Sequence, residues 1–126
     1  LVSHALIQLM IALALLGGEA HAGVAPHYSP GLMGKVASRR GLQPEPCMVS
    51  SPRYEIGEHV YVYGVRTKVL RYCLVADVSA PQHRAGHLRR GIETELSYEV
   101  TKELCGSTRE PSRSCPVIVY RLNDAE

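Results

Sequence analysis

Apolar and polar positions along this chain of 126 residues change their spacing from one stretch to the next. The first stretch, ALIQLMIALALLGG from Ala5 to Gly18, is a continuous apolar run. After it, Gly and Pro cut the chain into short apolar segments, the rhythm of a small, mainly β domain and not of a helical bundle. VAPHY, from Val24 to Tyr28, predicts a first strand. SPGLMGKVASRRG predicts a short helix or tight loop, with Pro30 near its start and Leu32, Met33 and Val36 on one face. CMVSS predicts a short strand, and EIGEHVYVYG a turn followed by a strand. KVLRYCLVADVS predicts a long strand whose alternation puts Cys73, Val75 and Asp77 on one face and Leu74, Ala76 and Val78 on the other. Both faces are largely apolar, so this strand is expected at the centre of the sheet. LSYEVTKELCG predicts a helix: Ser97 caps it, Glu99 suits its first turn, Val100 and Leu104 share a face, and Gly106 ends it. CPVIVYRL predicts the final strand, and no internal repeat interrupts the series.

The apolar run is followed by Ala20-His21-Ala22, a small-x-small word, and the combination reads as a secretory signal peptide over residues 1–22. The run falls short of the roughly 20 apolar residues a membrane span needs. The competing reading is an N-terminal helix packed on the body. Cleavage after Ala22 leaves residues 23–126, a length suited to one domain with a modest core. The whole chain carries 14 Lys and Arg against 12 Asp and Glu, and loss of Glu19 with the leader raises the net charge from +2 to +3. That balance favours an anionic partner only weakly and argues against nucleic acid. No membrane span remains after cleavage, and a monomer is the expected state.

All four cysteines, Cys47, Cys73, Cys105 and Cys115, lie beyond the leader, and an even count in an exported domain predicts two disulfides. Of the three possible pairings, Cys105 with Cys115 is favoured because the short Gly-, Ser- and Pro-rich segment between them closes a small loop. That leaves Cys47 with Cys73. A zinc site is disfavoured, since the chain has no CxxC pair. His83 and His87 stand four apart, but Gly86 is expected to break the helix a metal pair would need, so neither metal nor cofactor is assigned.

Order and local words together resemble a known family. HYSPGLMGKVAS, YEIGEHVYVYG, CLVADVSAP and TELSYEVTKELCG are similar, in that order, to the segments of the rare lipoprotein A type of double-psi β-barrel, shared in looser form by expansins and barwin-like plant proteins. The resemblance covers nearly the whole chain beyond the leader. It implies a mainly β fold, a six-stranded double-psi β-barrel with one or two short helices. It puts Asp77 at the position of the family's motif aspartate and Glu95 where the family usually has Asp. The activity it implies is binding or remodelling of cell-wall polysaccharide, with bacterial members acting as lytic transglycosylases on peptidoglycan.

That chemistry needs a carboxylic acid able to give a proton to the glycosidic oxygen and then take one from the attacking hydroxyl. Asp77, ending an apolar strand, is the candidate catalytic residue. Two helpers of competent family members are replaced here: Arg39 and Arg40 stand in place of a second acid, and Ser51 and Pro52 in place of a His. Asp77 therefore has a competing structural role, binding backbone amides of the Ser-Ala-Pro-Gln turn that follows it. Glu93 and Glu95 are possible second carboxylates, with Glu95 expected to cap the short helix.

A second reading makes the domain a binder without turnover. The loop QHRAGHLRRG gathers His83, Arg84, His87, Arg89 and Arg90 beside Asp77, a set suited to phosphate or carboxylate groups of an anionic wall polymer. Tyr28, with Tyr54, Tyr61, Tyr63 and Tyr72, offers faces for sugar rings, although each is also an ordinary half-buried strand residue. A third class, a disulfide-stabilised interaction or inhibitor scaffold, has no motif beyond the cysteines.

Overall fold

The computed structural model describes residues 4–109 and 115–123. Its elements run α1 (His4–Leu15), β1 (Gly18–Val24), α2 (Leu32–Arg39), β2 (Met48–Ser51), β3 (His59–Gly64), β4 (Val69–Val78), α3 (Pro81–Arg89), β5 (Glu95–Leu96), α4 (Tyr98–Cys105) and β6 (Pro116–Leu122). The strands form one mixed, strongly curled sheet in the order β1-β6-β3-β4-β2-β5, consistent with a barrel-like fold. Among the described strands the β2–β4 ladder is parallel and the other ladders are antiparallel.

Curling brings the two edges of the sheet together. The chain leaving β1 runs parallel to the segment leading into β5, through Val24 N–H to Gly91 O at 2.8 Å, Leu96 N–H to Pro26 O at 2.8 Å and Tyr28 N–H to Leu96 O at 2.8 Å. Alternation then sorts side chains by face. Val60, Val62, Cys73, Val75, Val117 and Val119 point into the main core, with Leu96, Val100 and Leu104 from β5 and α4. A smaller cluster outside the sheet, Met33 and Ala37 of α2 against Met48, Leu74 and Ala76, seats α2 across β2 and β4. At the junction of β3 and α4, Gly64 lies so close to the Leu104 carbonyl that a Cβ there would overlap it.

Helix and strand content are roughly equal, so the expected mainly β class with one or two short helices is corrected to a mixed one with four helices among the described residues. One unexpected helix is α3, where a loop was expected. Pro81 at its first turn is preset for helical φ and loses no intrahelical bond there. The interior Gly86 costs about 1 kcal/mol relative to Ala, too little to break the helix. The other is α1, the apolar front of the chain. VAPHY is not a regular strand; the first strand lies earlier and spans the boundary expected after Ala22. β4 is central as its pattern indicates. On α2, Met33 and Val36 are buried but Leu32 is exposed.

α4 starts and ends where expected, with Gly106 at φ 84°. Ser97 occupies the N-cap position, but its hydroxyl makes no capping bond and is buried without a partner. Both favoured disulfides are present: Cys47–Cys73 ties the start of β2 to β4 with Cα atoms 4.6 Å apart, and Cys105–Cys115 joins the end of α4 to the start of β6 at 5.0 Å. Residues 110–114, most of the loop expected between the second pair, lie outside the described residues. No described helix is long and apolar enough to cross a membrane. Two disulfides fit folding in an oxidising, extracytoplasmic compartment.

Candidate functional site around Asp77 and Glu95

Strict alternation would aim Asp77 into the core with Cys73 and Val75. It does not, because the parallel ladder between β2 and β4 slips: Val49 pairs with Val75, but Ser50 pairs with Asp77, leaving Ala76 as an extra residue. Such a bulge re-aims the side chains beyond it. Asp77 is thereby turned to the side of Tyr28 and α2, and Val78 packs against the main core instead. The expected face assignment for these two residues is corrected accordingly.

Ser50 also pairs with Glu95 across the antiparallel β2–β5 ladder. Asp77, Ser50 and Glu95 therefore form a row across three adjacent strands, with the outer two Cα atoms two strand spacings, about 10 Å, apart. Glu95 sits in β5 and makes no cap on α4, which corrects that expectation. Burial, the largest cause, and then the neighbouring Asp77 charge raise the Glu95 carboxyl above its ordinary value, while His87 pulls it down. The surroundings of Glu95 thus favour its protonated form.

Asp77 is engaged by donors from three directions. Tyr28 donates its hydroxyl to Oδ2 at 2.8 Å, Arg40 Nη2 donates to Oδ1 at 2.6 Å, and the Val78 N–H donates to Oδ1 at 3.0 Å. None of these is an amide of the Ser79–Gln82 turn. Arg40 is delivered by α2: with Met33 and Ala37 fixed on Leu74 and Ala76, the C-terminal end of the helix lies beside the end of β4. Tyr28 is held by its backbone bond to Leu96 and packs against the same cluster. Burial first, and the bond to Asp77, raise its phenol well above the usual range, and the Ser50 hydroxyl opposes them. The carboxylate side chain is 17% exposed, so the row is open to solvent at Asp77.

The basic set does not converge on Asp77. Helix α3 distributes it: His87 turns toward the row and shares a 2.7 Å hydrogen bond with Ser79 through Nδ1. His83 stacks near it, ring centroids 6.3 Å apart. Arg84 and Leu88 face a different groove, lined also by Arg53, Tyr54 and Glu58. Arg89 and Arg90 are exposed near the end of the helix. The helix that Gly86 was expected to break thus exists and pairs the two histidines. No group of three His, Cys, Asp or Glu side chains suited to a metal occurs among the described residues.

Glu93 is buried and bound at both oxygens by Arg53, at 2.7 and 3.0 Å. Tyr54 is buried. Tyr61 and Tyr72 lie on the outer face of the sheet, where a groove of about 580 Å³ is lined by them with Glu55, Glu58, His59 and Arg121. Tyr63 is beside them on β3. This groove holds neither member of the acid pair. Two contributors escape a reading of spacing alone: Ser50, which becomes central only through strand pairing, and Arg40, whose contact to Asp77 spans 37 residues. Neither a scan against models of known protein families nor a search of curated proteins finds a match for this chain, and no family is assigned.

Proposed function

We propose that the chain is an exported, cell-wall-associated domain of the double-psi β-barrel type that binds a polysaccharide strand along the Asp77–Ser50–Glu95 row. The observation that carries this reading is the row itself: two carboxyl groups flank a serine across three strands, with Tyr28 and Arg40 at one end and His87 beside it. The two carboxyl groups suit the repeated hydroxyl and amide groups of a peptidoglycan-type glycan, because each accepts or donates at a fixed spacing, while the buried Ser50 holds the line between them. Arg40 adds a guanidinium for carboxylate or phosphate groups on such polymers.

The reading is tested by co-sedimentation with insoluble wall material. Glu95→Gln and Arg40→Leu are expected to weaken retention several-fold, and Tyr72→Ala, in the separate groove it shares with His59 and Arg121, to leave it unchanged. Loss of retention in Tyr72→Ala alone would move the site to the outer groove, and absence of retention in the unaltered protein would favour the interaction-scaffold class.

A lytic transglycosylase is the second reading, favoured by one observation, the raised Glu95 carboxyl. In that reaction the acid gives its proton to the glycosidic oxygen as the bond from C1 breaks. The carboxylate then removes the proton of the sugar 6-hydroxyl as its oxygen closes on C1, giving an anhydro sugar. Glu95 suits the donor role better than Asp77, whose oxygens are occupied by Tyr28, Arg40 and Val78. Anhydro-sugar products from the unaltered protein, abolished in Glu95→Gln, would establish turnover; none from either would leave a binder.

A further inference from the structure

We infer that residues 18–22 belong to the mature protein and that signal peptidase, a hydrolase that reads small residues flanking one position, cuts after Ala14 and not after Ala22. The inference rests on export as proposed above. Its basis is what Gly18–Val24 does in the fold. Strand β1 pairs with β6 in unbroken antiparallel register from Gly18 opposite Leu122 to Val24 opposite Pro116. A cut after Ala22 would remove five of those seven partners and strip the edge of β6, an apolar strand whose N–H and C=O groups would then be unpaired.

The same residues are fitted to the body by their side chains. Gly18 lies against the Tyr120 ring so closely that a Cβ would overlap it. Glu19 accepts from the Tyr54 hydroxyl at 3.2 Å and from Arg121 Nη2 at 3.3 Å. The Asn123 N–H donates to the Gly17 carbonyl at 2.9 Å, so the pairing extends one residue before the strand. A discarded leader has no need of contacts of this kind.

Upstream of Gly18 the sequence holds another small-x-small word, Ala12-Leu13-Ala14. The seven residues before it, Ala5–Ile11 with Gln8 among them, meet the lower end of the roughly 7 to 15 residues of a signal-peptide core. Hydrolysis there adds one water across the Ala14–Leu15 peptide bond, leaving a carboxylate on Ala14 and an ammonium on Leu15. It frees the apolar helix and keeps every residue of β1.

The test is secretion of the full chain, with an initiating methionine added, followed by mass determination of the exported product. The result expected is an N-terminus at Leu15. Ala14→Tyr should accumulate precursor, whereas Ala22→Val should be processed as the unaltered chain is; both readouts precede folding, so neither depends on the variant's stability. An N-terminus at Gly23, or precursor accumulating in Ala22→Val but not in Ala14→Tyr, overturns this inference and leaves export standing. A chain that is exported nowhere and never cut overturns the export reading, and this inference with it.

Discussion

The pair of Arg40 and Asp77 anchors one end of the row, and its strength can be worked from geometry. With Nη2 and Oδ1 2.6 Å apart, the charge centres lie about 4 Å apart, worth about 4 kcal/mol at the effective dielectric of a protein surface. Arg40 is 40% exposed and Asp77 17%, so solvent screens much of this. Fully exposed pairs couple by about 0.2 to 1 kcal/mol, and removing one partner of a buried pair costs about 3 to 5 kcal/mol. The half-buried geometry here places the coupling at about 1 to 2 kcal/mol. The measurement is a double-mutant cycle with Arg40→Leu, Asp77→Asn and the double variant, unfolded in urea at pH 7 with the disulfides intact. At a denaturant dependence of about 1 to 2 kcal/mol per molar, each single variant should shift the midpoint by roughly 1 M. In 1 M salt, where the screening length is about 3 Å, the coupling should shrink by half or more. A coupling below about 0.3 kcal/mol, the scatter expected of independent sites, would refute the argument.

Three further outcomes follow from the same structure. Because Glu95 is raised in the folded chain, the native state binds more protons than the unfolded state just above the ordinary carboxylate range. Stability should therefore fall as pH rises through that window and then level off. Glu95→Gln should flatten that slope, and an unchanged urea midpoint profile from pH 4 to 7 would contradict it. Arg53→Met leaves the buried Glu93 carboxylate unpaired and should cost about 2 to 4 kcal/mol; a thermal midpoint lowered by less than about 3 °C would show that water replaces the guanidinium. Gly64→Ala drives a Cβ into the Leu104 carbonyl and should destabilise by about 2 kcal/mol or more, read by the same unfolding assay, whereas Gly34→Ala on α2, with open space around it, should be neutral or stabilising.

Local words carried much of this fold. The long apolar run Val69–Val78 reads as a central strand because both faces need cover, and it is one. The disulfides were legible because a short loop and an even cysteine count leave few choices. Gly106 ends α4 because the chain there takes a positive φ that glycine tolerates best. Most of what failed depends on a neighbour distant in sequence, and helix α3 is a local exception. Helix α3 contradicts its own glycine because Pro81 and the cap bonds of Arg90 to Gly86 and His87 outweigh about 1 kcal/mol. Strand β5 is two residues long and exists only because Ser50 lies opposite Glu95. A short strand of that kind has no period to read.

The bulge at Ala76 is the most consequential feature hidden in this way. A period of two makes every residue's face depend on those before it, so one unpaired residue reverses all that follow. CLVADVS carries no Gly or Pro to announce the slip, and Ala76 is small enough to be the residue left over, fully buried against α2. Without the slip, Asp77 would lie among Cys73 and Val75 as an unpaired acid in the core, at a cost of several kcal/mol. With it, the acid meets Arg40, Tyr28 and the row to Glu95. The departure from alternation and the assembly of the site are thus one event, and it explains why the basic residue that stands where an acid was expected is a partner of Asp77.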